Sequence, residues 1–330
     1  MPELMAFVLL LAITAYSTAG GVDFGAGIWD LLAGTGPRGR AARDLIDHAM
    51  APVWEVNNVW LVLAIVVCWT AFPPLFQLAF SDLYPLYSLA LIGLILRGAF
   101  FAFRHVAENP RAHRTADLVF GVSSVVTPFF FAASLGAIAS GRVGEGPLQA
   151  SFNPMALAFG LVSVAATGFS GASFLVGDAR RYGAPELTGY FERRLIAAGG
   201  ALIAIGTIAL VVIELEAPSL VHSMLFGVGL PFVLVTVIVT PLVMFLAWRG
   251  IFRWFRVLTV AAVGSMVFAW GFAQSPQLLP GKLTIAQAVA PPATLGVLLG
   301  VTVVLIVVIV PSMALLYYLD QRNTLESPEA

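Results

Sequence analysis

Long uninterrupted apolar runs alternate with short polar or basic stretches along the whole chain. The runs occupy about 4–33, 51–73, 82–103, 117–139, 153–177, 194–214, 221–247, 254–274 and 286–319. A helix that crosses a bilayer needs about 20 consecutive apolar residues, so the pattern predicts nine transmembrane helices. Strands of a membrane barrel would alternate apolar and polar positions, and the runs are continuous instead. The first and last runs exceed the length of a simple crossing, which predicts tilt or projection from the bilayer. Pro73-Pro74 marks the cut between spans two and three, because a proline pair interrupts a helix.

The predicted fold is therefore an all-α polytopic membrane protein, with two four-helix bundles plus one peripheral helix. No soluble domain fits between the spans, so residues 1–330 read as a single integral membrane domain. Spans one and five both end in small residues, Ala19-Gly20-Gly21 and Gly168-Phe169-Ser170-Gly171, and a long basic loop follows each. This hints at a pseudo-repeat, 1–140 and 150–275, with the helix at 286–319 outside it. Close packing of membrane helices also selects such residues.

Composition agrees with this picture. Hydrophobic residues make up 59% of the 330 and charged residues 11%, whereas soluble domains carry about 25% charged residues. A net charge of −1 gives no footprint for nucleic acid. Cys68 is the single cysteine, which excludes an intrachain disulfide and a cysteine-rich metal site. It reads as a small buried apolar residue. The opening Met1-Pro2-Glu3-Leu4-Met5 lacks a basic leader, so the first run reads as a retained span rather than a cleaved signal.

Charge placement orients the chain. Arg38, Arg40, Arg43, Arg104, Arg111, Arg114, Arg180, Arg181, Arg193, Arg194, Arg249, Arg253, Arg256 and Arg322 all fall on one side of the nine-span alternation. Arg142 and Lys282 fall on the other. Loops rich in Arg and Lys stay cytoplasmic, so the N-terminus is expected outside and the C-terminus inside.

Ionisable groups within a span are costly and require a partner or a function. Asp23 in span one, Glu55 in span two and Arg97 in span three stand out, and the topology puts all three in the cytoplasmic half. They read either as a proton-conducting or charge-compensating cluster, or as a buried ion pair that locks helices together. Trp54 and Trp60 suit interfacial anchoring, but Asn57 and Asn58 need hydrogen-bond partners inside a membrane. Glu55 and Asn58, three residues apart, share a helix face that could hold water. The four histidines, His48, His105, His113 and His222, fall in loops or at span edges. A haem wants axial His or Met ligands, so none is expected to be bound by this chain, and no metal site is expected either. Gly25-Ala26-Gly27 lies within a span and reads as packing rather than as a nucleotide fingerprint.

These residues resemble subunit II of the cytochrome bd-type quinol oxidases. That family closes its first span with Asp-Gly-Phe-Asp-Leu-Gly, matched by Gly20-Gly21-Val22-Asp23-Phe24-Gly25. It opens its second with Pro-Val-Trp-Asp-Gly-Asn-x-x-Trp-Leu, matched by Pro52-Val53-Trp54-Glu55-Val56-Asn57-Asn58-Val59-Trp60-Leu61. Ala71-Phe72-Pro73, Leu96-Arg97-Gly98 through Phe103-Arg104, Asn153-Pro154 and Trp270-Gly271 with Pro276 extend the likeness over the chain. The departures are Gly20 and Ala102 where the family carries acids, Glu55 for a shorter Asp, and Ser170-Gly171-Ala172 for a His-Gly-Ala.

The resemblance implies a haem-free subunit of a quinol:oxygen oxidoreductase in the inner membrane, with no catalytic residues of its own. Haems b and d would lie in a partner subunit I, with quinol as the substrate of the complex. A small single-span accessory subunit and a structural quinone are compatible with it. Glu55, Asp23, Arg97, Asn57, Asn58 and Trp54 would form the cytoplasmic proton pathway, and oxygen could share it. A proton-coupled secondary transporter, or a purely structural partner with a decayed proton route, are the alternatives.

Overall fold

The structure is a computed structural model that describes residues 1–50, 57–106, 109–251 and 253–321. Its long helices are α1 (Pro2–Leu31), α5 (Tyr84–Val106), α6 (Pro110–Ala139), α8 (Pro154–Arg181), α9 (Pro185–Glu216), α11 (Leu230–Trp248), α12 (Phe255–Gln274) and α14 (Pro292–Gln321). Shorter helices are α2 (Pro37–Met50), α3 (Asn58–Ala71), α4 (Pro73–Asp82), α7 (Pro147–Ser151), α10 (Pro218–Phe226) and α13 (Ile285–Ala288). Strands β1 (Gln277–Leu279) and β2 (Leu283–Thr284) form one small antiparallel hairpin. Eight helices among the described residues are long and apolar enough to cross a membrane, and the bent pair α3–α4 makes a ninth if counted as one span.

Proline starts many of these helices. Residue one of α1, α2, α4, α6, α7, α8, α9, α10 and α14 is proline. The ring fixes φ for the first turn, and the missing N–H would be unpaired there in any case.

Two of the predicted spans differ in detail. Span two breaks at Phe72, where α4 leaves α3 at 116°. Pro73 and Pro74 cannot donate to the Trp69 and Thr70 carbonyls, and at the bend the Ala71 carbonyl accepts from the Ala290 amide at 2.8 Å. Span seven is two helices, α10 and α11, separated at Gly227–Gly229. The connection 178–193 between predicted spans five and six, an Arg- and Asp-bearing amphipathic stretch, is mostly helix, the end of α8 and the beginning of α9.

The helices sort into two groups of four. In one, α1 packs on α3 and α6, and α5 packs on α6; in the other, α8 packs on α9, and α11 packs on α12 and α9. Contacts of α1 with α8 and α12, and of α6 with α8, join the groups. Helix α14 lies at the periphery, touching α3 and α1.

The junction between the groups depends on glycine. A Cβ on Gly25 would lie 1.9 Å from the Thr167 carbonyl oxygen, and one on Gly171 would lie 2.3 Å from the Gly25 carbonyl carbon. The two backbones therefore touch where α1 crosses α8, as small residues allow in membranes. A Cβ on Gly27 would lie 2.1 Å from Ser124 Oγ, so α1 presses on α6 as well. The packing reading of Gly25 and Gly27 holds.

Candidate functional site

Four elements meet beside this crossing and carry two rungs of charge. The first rung holds Asp23 of α1, Arg97 of α5, Ser124 of α6 and Asn57 just before α3. All are buried. Asn57 Nδ2 donates to Asp23 Oδ2 at 2.5 Å and lies 3.4 Å from the Ala19 carbonyl. Arg97 Nη2 donates to the Asp23 backbone carbonyl at 3.0 Å, and its Nε donates to Ser124 Oγ at 3.2 Å. The guanidinium also lies 4.8 Å from the Phe24 ring centre and 5.2 Å from that of Phe120. A buried cation is tolerated only with such partners, and each aromatic face adds about 0.5–2 kcal/mol.

The second rung lies two turns farther along. Asp30, seven residues after Asp23, meets Arg104, seven residues after Arg97. Arg104 Nη1 donates to Asp30 Oδ2 at 3.3 Å. Its Nη2 pairs with Asp47 of α2. Arg43, also of α2, stands 3.8 Å from Asp30 Oδ1. Side chains of Asp30 and Arg104 are 1% and 3% exposed, whereas that of Asp47 is 37% exposed. Equal steps of seven on both helices mean that α1 and α5 run parallel here, about 10 Å between rungs by helical rise. Phe120 lies between the rungs, with Arg104 4.5 Å above its ring centre on one side.

The sequence-predicted residues separate accordingly. Asp23, Arg97 and Asn57 come together. Asn58 is the half-buried first residue of α3. Trp54 and Glu55 lie outside the described residues, in the stretch 51–56 that directly precedes Asn57 in the sequence. The sequence reading does not single out Asp30 and assigns Arg104 to a basic loop. The repeated spacing of seven is the signal that finds both. Of the departures from the family pattern, Gly20 is buried against Tyr16. Ala102 is exposed, whereas Arg104 is buried.

A separate cavity of about 810 Å³ lies among α1, α3, α4, α5, α6, α8, α9, α11 and α12. Its lining is largely apolar, but Tyr16, Trp270 and Gln274 reach it. Tyr16 Oη, Trp270 Nε1 and Gln274 Oε1 are buried without a hydrogen-bond partner. No group of three or more His, Cys, Asp or Glu suited to a metal occurs among the described residues.

Comparison with known proteins adds to this geometry. Residues 1–320 match the family described as cytochrome bd terminal oxidase subunit II. Cytochrome bd-I ubiquinol oxidase subunit 2 of Escherichia coli (strain K12) is 29% identical over 182 residues, 52% of this chain and 46% of that protein. Cytochrome bd ubiquinol oxidase subunit 2 of Bacillus subtilis (strain 168) is 28% identical over 109 residues, 33% of this chain and 31% of that protein. The matched stretch thus spans about half the length of these curated relatives or less. A chain of the bd oxidase from Geobacillus thermodenitrificans shares the fold, with a TM-score of 0.78 over 98% of this chain and 99% of that one, at 14% identity. With the family pattern running from the first helix into the last, this chain belongs to the cytochrome bd terminal oxidase subunit II family.

Proposed function

We propose that this chain is the haem-free subunit of a quinol:oxygen oxidoreductase and supplies it with protons from the arginine-rich, cytoplasmic side. The haems b and d, the quinol oxidation site and the oxygen chemistry belong to a partner subunit I. A small accessory subunit would be a further component of the same complex. The donor set of this chain supports that division. His222 stands in ring contact with Phe226 on α10, and His113 pairs with Asp117 near the start of α6. His113 lies in the first turn of α6 and His222 on the short helix α10, away from the middle of any long spanning helix.

One observation carries the proton reading. Asp23 is a buried carboxylate held by Asn57, and the residue two positions before Asn57 is Glu55. Buried ionisable groups in a membrane mark proton relays. Glu55 is the entry carboxylate, Asp23 receives or balances the proton, and Arg97 compensates the charge. Trp54, Asn57 and Asn58 set the segment in place. Glu55→Gln in the purified complex is expected to slow oxidase turnover and proton uptake together. Undiminished turnover and uptake would refute the Glu55 role and leave the chain as a structural partner.

The cavity supports a second component of this reading, a structural quinone. A quinone carbonyl accepts a hydrogen bond, which Trp270 Nε1 or Tyr16 Oη could donate, and a quinol hydroxyl could donate to Gln274 Oε1. The apolar walls suit an isoprenoid tail, and ligand cavities of about 300–1,000 Å³ are typical.

A further inference from the structure

We propose that the junction of α11 and α12 binds an anionic phospholipid, with Arg249 and Arg253 on its phosphate and the outer face of α11 along an acyl chain. Neither the proton route nor the quinone cavity enters into it.

Helix α11 has two unlike faces. Thr240, Val243 and Ala247 are buried, and on the same side Thr236 Oγ1 donates to the Ala262 carbonyl of α12 at 3.0 Å. Leu234, Ile238, Leu242 and Phe245 are exposed. Steps of four, four and three align them in one stripe along the helix. On a spanning helix such a stripe meets acyl chains. Arg249, four residues after Phe245, continues it, because a φ of −83° and a ψ of −4° keep the helical phase. An apolar stripe that ends in a cation has the polarity of an anionic phospholipid, tail first and headgroup last.

The cations at this end lack an acid. Elsewhere on the arginine-rich side Arg38 stands 4.0 Å from Glu186, Arg104 stands 3.3 Å from Asp30, and Arg256 pairs with Asp178. Arg249 and Arg253 are exposed, and among the described residues neither meets a carboxylate. Their guanidiniums rest on rings instead, 5.8 Å from the centre of Phe245 and 5.4 Å from that of Trp254. The dipole of α11 favours Arg249 at its C-terminus, but Arg253 precedes the positive end of α12, which disfavours a cation. The two arginines are four residues apart, a reach of at most about 14 Å, so both long side chains can close on one phosphate. Guanidinium matches phosphate with paired hydrogen bonds. Trp248 and Trp254, both exposed, are of the type that settles at headgroup level. Anionic headgroups attract arginines beside a membrane surface, whereas a zwitterionic headgroup brings its own cation and leaves these two uncompensated. An acidic soluble partner would cover the arginines but not the stripe.

The test uses the purified complex, stripped of native lipid in detergent and titrated with phosphatidylglycerol, with bound lipid counted by native mass spectrometry. One site selective for phosphatidylglycerol should weaken about fivefold in Arg249→Gln or Arg253→Gln and about thirtyfold in the double variant. Arg249→Lys combined with Arg253→Lys keeps the charge and should keep most of the binding. Phosphatidylcholine with the same chains should not distinguish these variants from the wild type. Arg38→Gln, at an exposed cation that already has a carboxylate, is the control and should bind as the wild type does. Unchanged affinity in the double glutamine variant would overturn the inference. An equal loss in Arg38→Gln would also overturn it, since net charge alone would then explain the binding. Displacement of the lipid by an equal concentration of inorganic phosphate would remove the α11 stripe from the site and overturn the lipid as occupant. Loss of a partner subunit from the complex in the double variant would overturn it too, making this junction a protein contact.

Discussion

Replacing Gly25 with alanine adds one methyl group at the tightest point between the two helix groups. The new Cβ would stand 1.9 Å from the Thr167 carbonyl oxygen and 2.7 Å from the Gly171 nitrogen. Carbon atoms make comfortable contacts at about 3.5 Å, so α1 and α8 must separate by roughly 1.5 Å. Overpacking of an extra methylene costs about 1–3 kcal/mol when side chains absorb it. Here the obstacles are backbone atoms that cannot rotate away, which puts the cost near 3 kcal/mol. That is roughly a hundredfold in the folded-to-unfolded ratio. The displacement also strains neighbours on α1. Gly27 already presses on Ser124, and the Asp23 carbonyl accepts from Arg97 at 3.0 Å. Thermal unfolding of purified protein in detergent measures the effect, and tryptophan emission is an apt probe because Trp29 Nε1 donates across the same crossing to the Gly168 carbonyl at 2.7 Å. Gly21→Ala is the control, since its Cβ would meet Thr167 Cγ2 at an ordinary 3.6 Å. The reasoning fails if Gly25→Ala melts with the wild type, or if Gly21→Ala falls as far.

Other substitutions probe the rungs and the cavity. Arg97→Met should destabilise the protein by about 3–5 kcal/mol, because it leaves Asp23 buried without its cation; adding Asp23→Asn should recover most of the melting temperature. Asn57→Leu removes the donor to Asp23 and should cost about 1–3 kcal/mol, read as a lower midpoint in thermal unfolding, while proton uptake by the complex slows. Trp270→Phe combined with Gln274→Leu should reduce the quinone extracted per mole of purified complex, with folding and assembly intact. Glu216→Gln breaks the half-exposed pair with Arg142 and should change stability by less than about 1 kcal/mol, a useful contrast with Arg97→Met.

The spans were legible because burial in lipid demands long apolar runs, and that demand acts residue by residue. The break after Ala71 was legible too, since Pro73 and Pro74 carry it locally. The helix boundaries at 178–193 were not. That stretch looks like a loop by polarity, yet Arg and Glu are good helix formers, and α8 and α9 run on past the apolar segments. The site was half visible. Asp23 and Arg97 announce themselves by lying in apolar surroundings, and Asn57 by being an amide there. Asp30 and Arg104 lie close to span ends, where a charge needs no explanation. Their burial comes from α2 folding back over them, a tertiary fact that hydropathy cannot encode. Gly25 and Gly171 are 146 positions apart, and only the crossing of α1 and α8 shows that each is glycine because of the other.

The prolines at helix starts have a consequence for biogenesis. Each favours a helix start at its own position through covalent geometry, before any neighbour exists to pack against, whereas Pro128, Pro241 and Pro311 are carried within helices. Segments leaving the ribosome one at a time therefore already carry their own register when they meet the lipid. Insertion and tertiary assembly become separable stages, and the gaps between successive segments cannot be consumed by runaway helix extension in an apolar solvent that rewards every backbone hydrogen bond. A chain with so few polar residues to mark its segment borders can keep them sharp by this means.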